Sequence, residues 1–287
     1  MFRKVLFPVV LTHKMENYLS CISDMVKAGV EQVDLMHVVD LHDTYGDPKI
    51  VEFAKETLTK WKKRLVEAGV AKVETYLEEG NPTEEILRRL EEEDYSLVML
   101  GSRGSNLFKR LFLGSVAENV LHHARQPVLL LRNYPCEGKE EASYSLTCNS
   151  VFERILYVTD LSEGAKKALS YLEKMGDIPG ATLDILHVHD TRAMEYMSTE
   201  KIQEISEEEK RQIEQIRQNL AEKGFSFVEA HIVEDHPVAG ILKYAEEKKP
   251  SLLVMGAKGK SRLLEMMLGS VTETIIHKAP CSVLVIR

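Results

Sequence analysis

Tryptophan is nearly absent from this chain of 287 residues, which has one, and cysteine is scarce, with four. The cysteines are Cys21, Cys136, Cys148 and Cys281, and no two form a C-x-x-C pair, which argues against a thiolate zinc site. Cys136 and Cys148 share a polar segment and could bridge, but reduced thiols are the expectation in a cytosolic chain. No apolar run approaches the ~20 residues that a membrane-spanning helix needs. The opening residues, Met1 to Pro8, read as a strand and lack the apolar core and cleavage site of a signal peptide, so the expected location is cytoplasmic. Basic charge is short as well. Lys and Arg number 37 against 45 Asp and Glu, a net charge of −8. A nucleic-acid binder usually carries a basic stripe, and none stands out, so neither DNA nor RNA is the expected partner. Two phosphate-binding signatures are also missing: the GxxxxGK[ST] P-loop and the GxGxxG dinucleotide fingerprint. Ordinary NTPase and dehydrogenase readings therefore fall away. What is present is a 44% hydrophobic content spread over a length that suits two domains.

The chain repeats itself once. Arg3 to Val10 matches Glu153 to Asp160 in pattern, and Val33 to Asp40 matches Leu183 to Asp190, both at an offset of 150. Ser96 to Gly101 matches Ser251 to Gly256, and Pro127 to Arg132 matches Ser282 to Arg287, both at 155. One duplication explains all four, with a net insertion of five residues between the second and fourth strands of copy two. The expected domains are 1–132 and 151–287. Residues 133–150 between them contain Pro135, Gly138 and the charge run Lys139-Glu140-Glu141, without helical or strand periodicity, and read as a linker.

Each copy alternates short apolar runs with helical patterns, which predicts βαβ units in a parallel sheet buried on both faces. Strands are expected near 3–9, 32–39, 72–78, 96–101 and 127–132, and near 153–159, 182–189, 226–233, 251–256 and 281–286. Helices are expected near 14–28, 48–68, 83–93 and 114–124, and near 162–175, 195–223, 237–248 and 269–278. Asn81 before Pro82 predicts an N-cap, and Asp235 before Pro237 the same in copy two. Gly29, Gly69 and Gly224 sit where helices should end. The stretch 195–223 is so rich in Glu, Gln, Lys and Arg that it reads as a solvated outer helix laced with ion pairs.

One motif carries chemistry. Gly101-Ser102-Arg103-Gly104, nine residues, then Gly114-Ser115 recurs as Gly256-Ala257-Lys258-Gly259, nine residues, then Gly269-Ser270. Each follows the fourth strand of its copy. The first glycine lets the chain turn off the strand, and the second lets backbone approach a ligand with no Cβ in the way. The third opens a helix, whose free N–H groups and positive dipole end suit a phosphate. Ser115, Ser270 and Thr272 add hydroxyls. Arg103, Lys109 and Arg110 decorate one loop, and Lys258, Lys260 and Arg262 the other. These local cations against a net charge of −8 fit an anion.

The GxxG-x9-G[ST] loop, the Asp at the end of the first strand and the His-Val at the end of the second resemble the universal stress protein family. The resemblance covers nearly all of both halves except the linker. It implies two tandem doubly wound, Rossmann-like α/β domains of the adenine-nucleotide α-hydrolase type. Each would be a five-stranded parallel sheet with helices on both faces. It also implies ATP or AMP at the carboxyl ends of strands one and four, with Mg2+ accompanying a triphosphate. Carried over residue by residue, Val158, Thr159 and Asp160 would flank adenine and ribose, with Asp160 the polar anchor. Val188 would meet adenine through its backbone. Met255, Gly256, Lys258, Gly259, Gly269, Ser270, Val271 and Thr272 would complete the nucleotide site. The matching positions in copy one are Pro8, Val38, Gly101, Arg103, Gly104, Gly114, Ser115 and Val116. There Val10 stands where the Asp belongs, so the first site is expected to be degenerate.

Other residues are given structural roles. His37 and His187 read as strand-end histidines positioned by packing, and His122, His123 and His277 as helix-end histidines suited to the dipole. Met194, Met197, Met266 and Met267 read as gap fillers. No catalytic constellation and no metal-ligand spacing stands out. Three functions remain open. The leading one is a stress-response sensor or regulatory module that binds adenine nucleotide with little or no turnover. The second is a slow ATPase or adenylate hydrolase. The third is a nucleotide-free scaffold acting through its last strands, Val128–Leu131 and Ser282–Ile286, which are apolar edges that invite pairing. In the family such strands pair across a two-fold axis, which implies an internal pseudo-dimer of the two halves or a homodimer.

Overall fold

A computed structural model of the chain describes residues 2–12, 15–19, 21–40, 48–101, 113–132, 134–135, 144–145, 150–259 and 268–287. The chain divides into two compact units, Met1–Asn149 and Ser150–Arg287.

In the first unit the elements run β1 (Lys4–Pro8), α1 (Met15–Leu19), α2 (Ile22–Lys27), β2 (Gln32–Val39), α3 (Pro48–Glu67), β3 (Lys72–Glu79), α4 (Pro82–Glu92), β4 (Leu97–Gly101), α5 (Ser115–His123) and β5 (Val128–Leu131). All five strands are parallel, in the spatial order β5-β4-β1-β2-β3. Strand order therefore reverses between β1 and β4, and in such sheets the carboxyl ends at that reversal form a ligand crevice. Val5, Leu6, Phe7, Leu97, Val98 and Met99 are fully buried, as strands covered by helices on both faces must be. Asn81 caps α4 as read, its side-chain oxygen accepting from the backbone N–H of Thr83 at 2.9 Å and of Glu84 at 3.3 Å. Gly29, Gly69 and Gly224 all take positive φ at helix ends, where an L side chain would be strained.

The second unit repeats the plan. It runs β8 (Arg154–Thr159), α6 (Glu163–Met175), β9 (Thr182–Asp190), α7 (Thr191–Met194), α8 (Thr199–Ala221), β10 (Phe227–Asp235), α9 (Pro237–Lys248), β11 (Leu252–Gly256), α10 (Ser270–Lys278) and β12 (Ser282–Ile286). Its parallel order is β10-β9-β8-β11-β12, so the reversal falls between β8 and β11. Tyr157, at the centre of β8, is fully buried and donates its hydroxyl proton to the Ala165 carbonyl at 2.8 Å, locking α6 to the strand.

Four expectations need correction. The helix expected over 14–28 is two pieces, because α2 starts only after Cys21, which caps it without a side-chain hydrogen bond. The helix expected over 195–223 starts at Thr199, where Ser198 caps it by accepting from the Lys201 N–H at 3.3 Å, and the short α7 precedes it. The N-cap of α9 is His236, not Asp235, whose carboxylate instead accepts from the His236 N–H at 2.6 Å. Within 133–150, Tyr134–Pro135 (β6) and Tyr144–Ser145 (β7) form a short antiparallel pair, too brief to leave a period-two signal. Cys136 and Cys148 lie outside the described residues, while Cys21 and Cys281 are buried thiols.

A buried carboxylate holds the first unit together. Asp34 on β2 is fully buried and accepts from the Tyr95 hydroxyl at 2.6 Å and from Gln32 Nε2 at 2.7 Å. Removing one donor would leave a buried anion short of a partner, at about 1–3 kcal/mol. Tyr95→Phe is therefore expected to destabilise the chain by about that amount in urea denaturation, whereas the exposed Tyr196→Phe should change it by less than about 0.5 kcal/mol.

Candidate functional site

At the strand-order reversal of the second unit, two turns meet backbone to backbone. The first joins β8 to α6. In it Asp160 Oδ1 accepts from the Ser162 N–H at 3.0 Å, and Thr159 Oγ1 accepts from the Leu161 N–H at 3.0 Å. These two bonds hold Leu161 in the left-handed region at φ 63°, a conformation that costs a β- or γ-branched residue about 1–2 kcal/mol. The second turn leaves β11 at Gly256. A Cβ on Gly256 would sit 2.6 Å from the Gly164 carbonyl oxygen, and one on Gly164 would sit 2.3 Å from the Lys258 carbonyl oxygen. Only glycine at both places lets the turns approach this closely.

The close approach assembles the motif. A Cβ on Gly259 would fall 2.4 Å from Asp160 Oδ2, so the second glycine of the loop lies directly against the strand-end carboxylate. Thr272 donates its hydroxyl to the Gly256 carbonyl at 3.0 Å, and the Gly269 N–H donates to the Ala257 carbonyl at 2.9 Å. Together they fix the start of α10 beside the loop. Gly269 is the N-cap of α10 and no side chain caps the helix there. A helix start without a side-chain cap leaves backbone donors for water or a ligand.

These pieces line a cavity of about 570 Å³. Val158, Thr159, Asp160, Val188, Met255, Gly256, Lys258, Gly259, Gly269, Ser270, Val271 and Thr272 all contribute to its wall. Sequence positions more than one hundred residues apart thus meet in one place. The volume lies within the range of about 300–1,000 Å³ usual for small-molecule sites. Lys260 and Arg262 lie outside the described residues, as do Met266 and Met267.

The opposite wall was not legible as a site. His187, His189, Met194, Met197, Ile202, Ile205 and Glu209 also line the cavity. The outer face of α8 carries the ion pairs read from its composition, such as Lys201 with Glu204 at 2.8 Å and Arg217 with Glu214 at 2.6 Å. Its other face, from Ile202 and Ile205 to Glu209, looks into the cavity. The signal was the spacing of Ile202, Ile205, Glu209 and Ile213 at helical period, submerged in a charged sequence. His187 is positioned as a strand-end residue should be, with Nδ1 2.8 Å from the Thr159 carbonyl oxygen. Burial pushes the His189 imidazole below its ordinary pKa, against the opposing pull of Glu209.

The first unit differs at the corresponding place. Pro8 ends β1, Val38 lies in β2 and Gly101 ends β4. Gly114 is the uncapped N-cap of α5, followed by Ser115 and Val116. Arg103 and Gly104 lie outside the described residues, as do Lys109 and Arg110. Val10, where the second unit has Asp160, is half exposed at 50%. Over Gly101 lies the ring of the buried Tyr18, 3.0 Å from where a Cβ would be. No comparable ring covers Gly256, which faces the Gly164 backbone instead.

The fold and the glycine-lined crevice define a pair of doubly wound α/β domains of Rossmann type. Residues 1–132 and 152–287 each match the model of the Universal stress protein family. The chain belongs to that family and carries its domain twice. Universal stress protein MJ0577 of Methanocaldococcus jannaschii is 32% identical over 156 residues, covering 48% of this chain and 96% of that protein. Universal stress protein YxiE of Bacillus subtilis is 33% identical over 149 residues, 48% of this chain and 100% of its own length. Over the whole chain, the crystal structure of a universal stress protein from Archaeoglobus fulgidus DSM 4304 is similar. It is 28% identical with a TM-score of 0.72, and the match covers 99% of this chain and 96% of that one.

The two glycines at the ends of the fourth strands should respond differently to a methyl group. At Gly256 the obstacle is backbone, which cannot step aside, and overpacking of this kind costs about 1–3 kcal/mol. At Gly101 it is the edge of a side-chain ring. Thermal denaturation is expected to show Gly256→Ala lowering Tm by several degrees more than Gly101→Ala.

Proposed function

We propose that the second unit binds an adenine nucleotide, ATP or AMP, in this cavity and that the protein acts as a nucleotide-responsive regulatory module. The observation that carries the reading is the meeting of Asp160, the Gly256–Gly259 loop and the uncapped start of α10 on one cavity wall. A ligand with a phosphate at one end and hydroxyls at the other matches that division of chemistry. The phosphates lie at the loop and the first N–H groups of α10, where the helix dipole and the Lys258 charge favour an anion. The ribose hydroxyls donate to Asp160, a carboxylate that can only accept. The base lies toward Val188. Strand β9 continues through Val188, His189 and Asp190 beyond His187, the last residue paired with β8, so this stretch of backbone borders the crevice. Ile202, Ile205 and Met197 supply an apolar surface for a purine. A triphosphate would bring Mg2+ with it.

Membership of the family supports the reading, and so does the contrast between the units. A ligand hydroxyl reaching the first unit's strand end would meet Val10 rather than a carboxylate, and the Tyr18 ring covers the glycine where backbone approach is needed. We therefore assign nucleotide binding mainly to the second unit.

Nucleotide released from the purified, denatured protein and quantified by chromatography with mass detection tests this. About one adenine nucleotide per chain is expected, and its mass fixes the phosphate count. Asp160→Ala should weaken rebinding roughly 10- to 100-fold, the worth of a charged hydrogen bond. Gly259→Val should abolish it, because its side chain would occupy the position of Asp160 Oδ2. Two nucleotides per chain would restore the first site, and none, with no rebinding of ATP or AMP, would overturn the assignment.

A further inference from the structure

His187, His189 and Glu209 form a cluster that the nucleotide reading does not use. His187 and His189 are two apart on β9, so their rings leave the same face of the strand, and Val188 between them points the other way. Glu209 reaches them from α8. Its Oε2 lies 2.6 Å from His189 Nε2 and 3.3 Å from His187 Nε2. Both histidines are buried, at 2% and 5% exposure, and the Glu209 side chain is 14% exposed. All three border the cavity.

His187 Nδ1 lies 2.8 Å from the Thr159 carbonyl oxygen. A carbonyl can only accept, so Nδ1 carries a proton, and the lone pair of a ring with that single proton lies at Nε2. That lone pair faces a carboxylate oxygen. Neither Nε2 makes a hydrogen bond, although both are buried and both approach the same oxygen. Two buried imidazole nitrogens converging on one carboxylate are a donor set that suits a metal cation.

We propose that His187 Nε2, His189 Nε2 and the Glu209 carboxylate bind a divalent transition-metal ion of the zinc class. The three ligand atoms lie within 4.8 Å of one another. Tetrahedral zinc with bonds of about 2.0–2.1 Å sets its ligand atoms about 3.4 Å apart. The Glu209 to His187 spacing already fits, and that to His189 opens by less than about 1 Å, within reach of a glutamate rotamer. Two imidazoles and one carboxylate select zinc, cobalt or iron over Mg2+, which prefers oxygen ligands and water. The Thr159 carbonyl then serves as the outer partner that fixes the ring and tautomer of a ligating histidine. Three protein ligands leave one position open, toward the cavity.

The first unit supplies an internal comparison. At the 150-residue offset His187 corresponds to His37 and His189 to Val39. Strands β3 and β10 stand at an offset of 155, and at that offset the buried Ile213 and Leu220 of α8 match the buried Leu58 and Leu65 of α3, so Glu209 corresponds to Ala54. Val39 and Ala54 are buried at 4% and 0%. The fold therefore accepts apolar residues at two of the three positions. The polar set in the second unit answers a need other than folding.

The test uses the full-length chain, stripped of metal by chelation and free of nucleotide, titrated with Co2+ and then Zn2+. One Co2+ per chain is expected, with the visible absorption of a four-coordinate site, displaced stoichiometrically by Zn2+. Zn2+ should also raise the Tm. The double variant His189→Val/Glu209→Ala reproduces the residues of the first unit and should fold while losing the cobalt spectrum. His187→Ala should lose it as well. Absence of stoichiometric Co2+ uptake by the unaltered chain would overturn the proposal without recourse to any variant. So would uptake that persists in the double variant, or uptake that appears only when ATP is added, which would place the ion on the phosphates.

Discussion

The contact on which the second unit's site depends is between two glycines. Gly164, at the start of α6, and Gly256, at the end of β11, pack backbone on backbone with no room for a methyl group on either. Everything at the crevice follows from that approach. With the turns in contact, Lys258 passes over Gly164, Gly259 comes against Asp160, and Thr272 can reach back from α10 to the Gly256 carbonyl. A side chain on either glycine would separate the strand-end carboxylate from the loop, and one small ligand could no longer touch both. The strained Leu161 belongs to the same device. Its left-handed backbone turns the chain sharply enough for α6 to begin at the crevice, and the Thr159 and Asp160 side chains hold it there. Strain of this sort survives only where surrounding bonds over-determine it.

Much of this was legible in the sequence because it is written locally. A run such as Leu97-Val98-Met99-Leu100 can only be a strand buried on both faces, and the duplication doubles every signal. The glycine motif was legible for the same reason: its spacing is a property of one loop. What was not legible depends on which face of an element turns inward. Helix α8 presents charge on most of its surface, and its composition conceals the stripe through Ile202, Ile205 and Glu209 that borders the cavity. His187 was readable as a strand-end residue, but its neighbourhood with His189 and Glu209 joins a strand to a helix through a turn and a short helix of no regular period. The break in α1–α2 and the cap at His236 were missed because rival local choices are nearly equal in energy, and packing decides between them.

The two units isolate what the fold needs from what it does not. They share the strand order, the parallel registers and the buried apolar strands. Those features set the stability of a doubly wound sheet, and they tolerate large differences at the strand ends. The first unit carries Val10, Tyr18 and Ala54 where the offsets place Asp160, Ala168 and Glu209 in the second. Function in such folds lives in residues grafted at the carboxyl ends, and divergence there leaves the scaffold unchanged.

The direction of the difference is informative on energetic grounds. Burying a polar atom without a hydrogen bond costs about 1–3 kcal/mol, and the second unit does so at both His187 Nε2 and His189 Nε2. It adds the desolvation of a nearly buried glutamate. The first unit has Val39 and Ala54 at the matching positions, which gain from burial instead. A chain under selection for stability alone would converge on the second solution in both copies, since the duplication supplies a working example. The imidazoles and the carboxylate are the groups that the proposed metal ion would offset. The two buried imidazole nitrogens that lack a hydrogen bond thus belong to residues that border the cavity.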